Sequence, residues 1–96
     1  MMKKKKANLN KAFREFRKLG YVAKQKFDIF EYNPSLFKAK KIVFSNKLDA
    51  RQLAKTGECF LCWSGDQDEI AEVLERNGVL KKKPENISQR FQVSVN

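Results

Sequence analysis

The sequence predicts a small single-domain α+β fold: a mixed or antiparallel sheet packed by about three helices, in the order α-β-β-α-β-α-β-β. Three observations carry this expectation. Segments 8–19 and 66–77 repeat apolar residues at helical spacing. The last segment alternates with period two, setting Ile87, Phe91, Val93 and Val95 against Ser88, Arg90, Gln92 and Ser94; that is the pattern of a strand with one buried face. The chain has 96 residues, 42% of them hydrophobic, with eight Phe, enough for one folded domain with an aromatic-rich core.

Residues 1–7 read as a disordered basic arm, since Lys3, Lys4, Lys5 and Lys6 repel one another and bury nothing. Such an arm is either a solubilising tail or a functional contact. The domain proper is expected over 8–96. Its first helix spans 8–19, with Leu9, Ala12, Phe13, Phe16 and Leu19 inward, Asn8 as cap and Gly20 as the left-handed stop. Lys11, Arg14, Arg17 and Lys18 occupy its outer face, and Glu15 lies at the stripe's edge.

Residues 21–32 read as extended, from their aromatic and β-branched content. Asn33-Pro34-Ser35 marks a turn, residues 36–39 a loop, and residues 41–45 the next strand. A short helix is expected over 47–55, with Leu48, Leu53 and Ala54 inward and Gly57 ending it. The apolar run 58–64 reads as a central strand buried on both faces. In the helix at 66–77, Asp66 and Glu69 have capping-box spacing, Ile70, Val73 and Leu74 form the inner stripe, and Asp68, Glu69, Glu72 and Glu75 form an acidic outer side. Val79 and Leu80 start a short strand, and 81–86 read as a polar connection.

The formal charge is +10, unevenly spread. Residues 1–48 hold 14 Lys/Arg against 3 acids, a net +11; residues 49–96 hold 7 against 8, a net −1. The expected molecule is polarised, with a positive side that attracts polyanions or acidic proteins. Its candidate contacts are Lys3, Lys4, Lys5, Lys6, Lys11, Arg14, Arg17 and Lys18, adjoined by Lys24, Lys26, Lys38, Lys40 and Lys41. Lysine dominates, and lysine meets phosphate as a point charge, so nucleic-acid binding through this set would tolerate sequence and depend steeply on salt. Phe30, Tyr32 and Phe37 are candidates for stacking bases; the competing reading places them in the core.

Chemistry is sparse. There is no histidine, so Ser-His-Asp and Cys-His catalysis within one chain are excluded. The four glycines form no phosphate-binding loop. Cys59-x-x-Cys62 is a single pair with no further Cys or His to complete a zinc site. In a strand, positions three apart face opposite sides, so the two read as small core residues. The acids from Asp66 to Glu72 lack the alternating ligands and glycine of a calcium loop and read as a cap and a solvated face. No cofactor and no metal are expected. The basic start is followed by no apolar stretch and no run approaches a membrane span; these features predict a cytoplasmic chain with reduced thiols and no membrane partner.

The order of motifs resembles a family of small bacterial proteins classed as a domain of unknown function. The resemblance lies in Phe13-Arg14-x-x-Arg17-Lys18-x-Gly20-Tyr21-Val22-Ala23-Lys24-Gln25-x-Phe27, then Ile42-Val43-Phe44 and Leu61-x-Trp63-Ser64-Gly65-Asp66, and finally Ile70-x-x-Val73-Leu74-x-x-Asn77-Gly78-Val79 with the alternating strand. These are mainly core and turn residues, so the resemblance implies a fold more than a function. Members of that family carry a cysteine cluster, Cys-Cys-x-x-Cys-Gly, after the first strand. Here Phe27 is followed by Asp28-Ile29-Phe30-Glu31, and no role of that cluster carries over.

The expectation is a non-enzymatic binding module that engages nucleic acid or a nucleoprotein complex through the basic helix and arm. A second reading is an inhibitor acting on an acidic protein surface, such as a phage-borne antagonist of a host defence nuclease of the anti-CRISPR type. A third is an enzyme using a carboxylate or Cys59 and Cys62.

Overall fold

A computed structural model of the chain describes residues 5–27, 41–86 and 89–96. Three helices and five strands occur among them. We name these α1 (Lys6–Lys18), β1 (Val22–Phe27), β2 (Ile42–Asn46), α2 (Lys47–Thr56), β3 (Glu58–Ser64), α3 (Gln67–Arg76), β4 (Leu80–Lys82) and β5 (Phe91–Ser94). The α+β class and the element order agree with expectation. Lys3, Lys4, Lys38 and Lys40, the aromatics Phe30, Tyr32 and Phe37, the turn and loop at 33–39, and Ile87 and Ser88 lie outside the described residues.

The five strands form one sheet in the order β1-β2-β3-β5-β4. β1 and β2 run parallel, and the other neighbours are antiparallel. One face of the sheet carries Val43, Cys59, Leu61, Phe91, Val93 and Val95 into a single core cluster. Leu9, Ala12, Phe13 and Phe16 of α1 and Ile70, Ala71, Val73 and Leu74 of α3 close over that face. Phe13 and Phe16 meet edge to face at 5.8 Å between centroids, the arrangement the ring quadrupoles favour. α2 packs across β1, β2 and β3 and contributes Leu53 to the core.

α1 begins two residues earlier than its cap signal predicts. Lys5, expected in the disordered arm, donates its backbone N–H to Val95 O at 3.0 Å. This tertiary bond anchors the helix start, and no side chain caps it. At the other end Gly20 adopts φ +91, as the left-handed stop requires.

The capping box lies on a different helix from the one expected. Asp66 does cap α3, accepting from the Asp68 and Glu69 N–H groups at 3.0 and 3.1 Å. Glu69, however, turns toward Lys41, 3.9 Å away, rather than back to the cap, and is half-buried instead of solvated. The reciprocal box is at α2. Asn46 Oδ1 accepts from Asp49 N–H at 2.8 Å, and Asp49 Oδ2 accepts from Asn46 N–H at 3.1 Å.

Four expectations need correction. Leu19, expected inward at the end of the first helix, is 40% exposed. Leu48 is 71% exposed and Ala54 is exposed, so Leu53 alone of the three serves as α2's core anchor. β3 is buried on one face only, for Phe60 is 47% exposed: α1 and α3 cover the other side. Lys81 and Lys82 lie in β4 rather than in a connection, because pairing with β5 outweighs their polarity. Among the described residues no helix is long and apolar enough to cross a membrane.

Candidate functional site

The cations of α1 divide into two rows. One row faces β1 and is structural. Lys6 Nζ donates to Gln25 Oε1 at 2.9 Å, Gln25 Nε2 donates to Asn10 Oδ1 at 2.8 Å, and Arg17 Nε donates to Ala23 O at 2.9 Å. Burial, and then the neighbouring Lys26 ammonium, lower the Lys6 pKa. The other row, Lys11, Arg14 and Lys18, has the i, i+3, i+7 spacing of one helix face. All three are exposed, and none forms a hydrogen bond or salt bridge with the described residues.

Glu15 is the only acid on α1, and it is neutralised from a distance in sequence. Arg76 Nη2 donates to Glu15 Oε2 at 2.6 Å, and Asn77 Nδ2 lies 3.4 Å from Oε1. The Arg76 hydrogen bond holds the Glu15 carboxyl below the usual carboxylate range. The outward row therefore meets solvent with its one local counter-charge already engaged.

Other predicted contacts are distributed differently. Lys5 Nζ donates to Gly78 O at 3.0 Å. Lys41 sits over the Tyr21 ring, 5.1 Å from its centroid, donates to Leu19 O at 3.4 Å and lies 3.9 Å from Glu69. Burial, with Glu69 beside it, pushes the Tyr21 hydroxyl up to about 12. Lys24 is exposed on β1. Lys26 adopts φ +58, and its N–H points at Ser45 Oγ, 3.4 Å away. Lys5, Lys6, Arg17 and Lys41 thus hold the fold together, while Lys11, Arg14 and Lys18 remain available.

Two basic recesses were not anticipated. Lys26, Lys47 and Arg51 line one of about 330 Å³ with Ala50 and Ala54. A larger groove of about 490 Å³ is lined by Phe60, Lys82, Lys83, Pro84, Gln89 and Arg90. Phe60 could have been placed there by strict alternation in 58–64, which sets it opposite Cys59 and Leu61. The apolar content of that run hid the alternation.

The thiols face opposite sides of β3, as the strand reading requires. Cys59 joins the core with Leu61, but Cys62, expected in the core as well, is half-buried on the opposite face, across from Phe44. Both are free. Burial, reinforced by Asp49, pushes Cys59 up to about 12; burial raises Cys62 as well. Among the described residues no three potential metal ligands come together.

No family model, curated protein or solved structure matches this chain.

Proposed function

We propose that the chain is a non-enzymatic binding module that engages nucleic acid, or a complex built on it, through the outward face of α1. The supporting observation is the row Lys11, Arg14 and Lys18, exposed and without a hydrogen bond or salt bridge among the described residues, beside a Glu15 that Arg76 has already neutralised. A row of mobile point charges suits phosphate oxygens, which position a partner without reading its sequence. Lys3 and Lys4, which precede α1 in the sequence, add to the chain's positive charge.

The test is binding to mixed-sequence DNA and RNA across a salt series. Affinity should fall steeply with salt and little with sequence. Replacing Lys11, Arg14 and Lys18 together by Gln should reduce the slope of log K against log salt by about 2–3. Absence of binding at low salt removes this reading. A stoichiometric protein partner that survives nuclease treatment would instead favour the inhibitor reading.

A further inference from the structure

Phe60 projects from the sheet face opposite the core and is 47% exposed. The register places it in a row with two other side chains. Phe60 is paired with Gln92 across β3 and β5, and Gln92 with Lys82 across β5 and β4. Residues directly paired across antiparallel strands point to the same face. An irregularity between Leu80 and Lys82 makes this possible: Leu80 pairs with Val93, a core residue, yet Lys82 pairs with Gln92, one step away and on the other face. A bulge of this kind re-aims a side chain, and here it turns a lysine toward an exposed ring.

We infer that the Phe60 groove takes an unstacked base of a single-stranded nucleic acid, the base on the Phe60 ring and the flanking phosphates on Lys82, Lys83 and Arg90. The inference rests on the nucleic-acid reading above and adds the class of strand and a second contact surface. The groove's volume, about 490 Å³, lies within the range of small-ligand sites. An aromatic face among cations is the combination that single-strand binders use, because every base has a π-face and every linkage a negative charge. A duplex keeps its bases stacked and cannot offer one to Phe60.

Lys82 and Lys83 are available for this. Lys82 has no salt bridge to the described residues. Lys83 lies 3.3 Å from Asp68, whose side chain is 90% exposed, and Arg90 lies 4.0 Å from Asp49. Solvent-exposed pairs such as Lys83–Asp68 contribute little and give way to a phosphate. Gln89 of the groove is tied to the core side of the sheet: the Trp63 indole N–H donates to Gln89 O at 2.8 Å, and Trp63, packed against the core, meets Phe91 edge to face at 5.4 Å.

The experiment compares an oligothymidylate of about 12 nucleotides with a duplex of equal length on the full chain. It uses Phe60→Ala, Phe60→Tyr, Lys82→Gln and the α1 triple variant, with binding read by anisotropy. Phe60→Ala should weaken single-strand binding about 5- to 100-fold, with duplex binding unchanged. Phe60→Tyr should retain both, and Lys82→Gln should lower the single-strand salt slope by about one. The α1 variant should weaken both ligands. If Phe60→Ala binds the single strand as well as the parent does while the α1 variant is impaired, the groove is not the site and the α1 reading stands. If the parent binds neither ligand but binds an acidic polypeptide, both proposals fall.

Discussion

Arg76 and Glu15 join the end of α3 to the middle of α1 through a contact of 2.6 Å between residues 61 positions apart. The contact fastens the two helices that cover the core face, and it also engages the one acid that α1 itself carries beside Lys11, Arg14 and Lys18. Its pH dependence has a definite sign. The hydrogen bond from Arg76 lowers the folded-state pKa of Glu15 below that of the unfolded chain, about 4.3. The stability it contributes is therefore present above the unfolded value and lost as pH falls through the folded one. Glu15→Gln should have a slightly lower Tm than the parent at pH 7, and the gap should close on acidification below the carboxylate range. A gap of equal size at pH 7 and at pH 3 would remove this account.

The thiols should be slow to react. In the native protein at neutral pH both should resist a thiol reagent, with the half-buried Cys62 reacting before the buried Cys59, and both should react promptly once unfolded. The linkage runs opposite to that of Glu15. Folding raises the Cys59 pKa from about 8.5 to about 12, so its stabilising effect is complete below the unfolded value and is lost as pH rises from there toward the folded one. Cys59→Ala should soften the alkaline loss of stability. Rapid native labelling of Cys59 would contradict the burial on which this depends.

Asn46→Ala breaks the capping box of α2, leaving the Asp49 N–H without its acceptor. The expected cost is about 1 kcal/mol, or a Tm lower by about 4–8 °C in a domain of this size. Hydrogen exchange should show the loss first in the opening turn of α2. Asp66→Ala should act likewise on α3, whose first turn loses two accepted bonds. Unchanged exchange in both helices would show the caps to be passengers.

Phe13 is fully buried between α1, α3 and the sheet, whereas Leu48 is 71% exposed. Phe13→Ala should cost about 3–5 kcal/mol. Leu48→Ser should stay within about 0.5 kcal/mol of neutral. Chemical denaturation of the two variants checks the corrected burial of α2 directly; a large loss from Leu48→Ser would place that side chain inside.

Local pattern was sufficient for much of this fold. Helical spacing in 8–19 and 66–77 marked Phe13, Phe16, Ile70 and Leu74 as core, and period-two alternation marked Phe91, Val93 and Val95. Both signals depend only on backbone periodicity and solvent exclusion, which act within a few residues. The capping-box spacing also identified a true cap in Asp66, but the partner acid went elsewhere. Glu69 had a lysine from the edge of β2 within reach, and no local rule could weigh Lys41 against the helix end.

The sequence by itself determined the α+β class, the order of elements, most of the core and the concentration of positive charge in the first half. Tertiary structure alone decided which of those charges remain available. Arg17 and Lys6 face a strand that the helix must pack on, Lys41 lies over the Tyr21 ring with Glu69 nearby, and Lys11, Arg14 and Lys18 are left outside. It also decided that Phe60 is exposed and that Lys82 stands beside it, since both follow from which face the helices cover and from one irregular step between β4 and β5. Charge and hydrophobicity belong to residues and can be counted along a chain. Pairing and exposure depend on residues distant in sequence, and they are settled only when the sheet and helices close on one another.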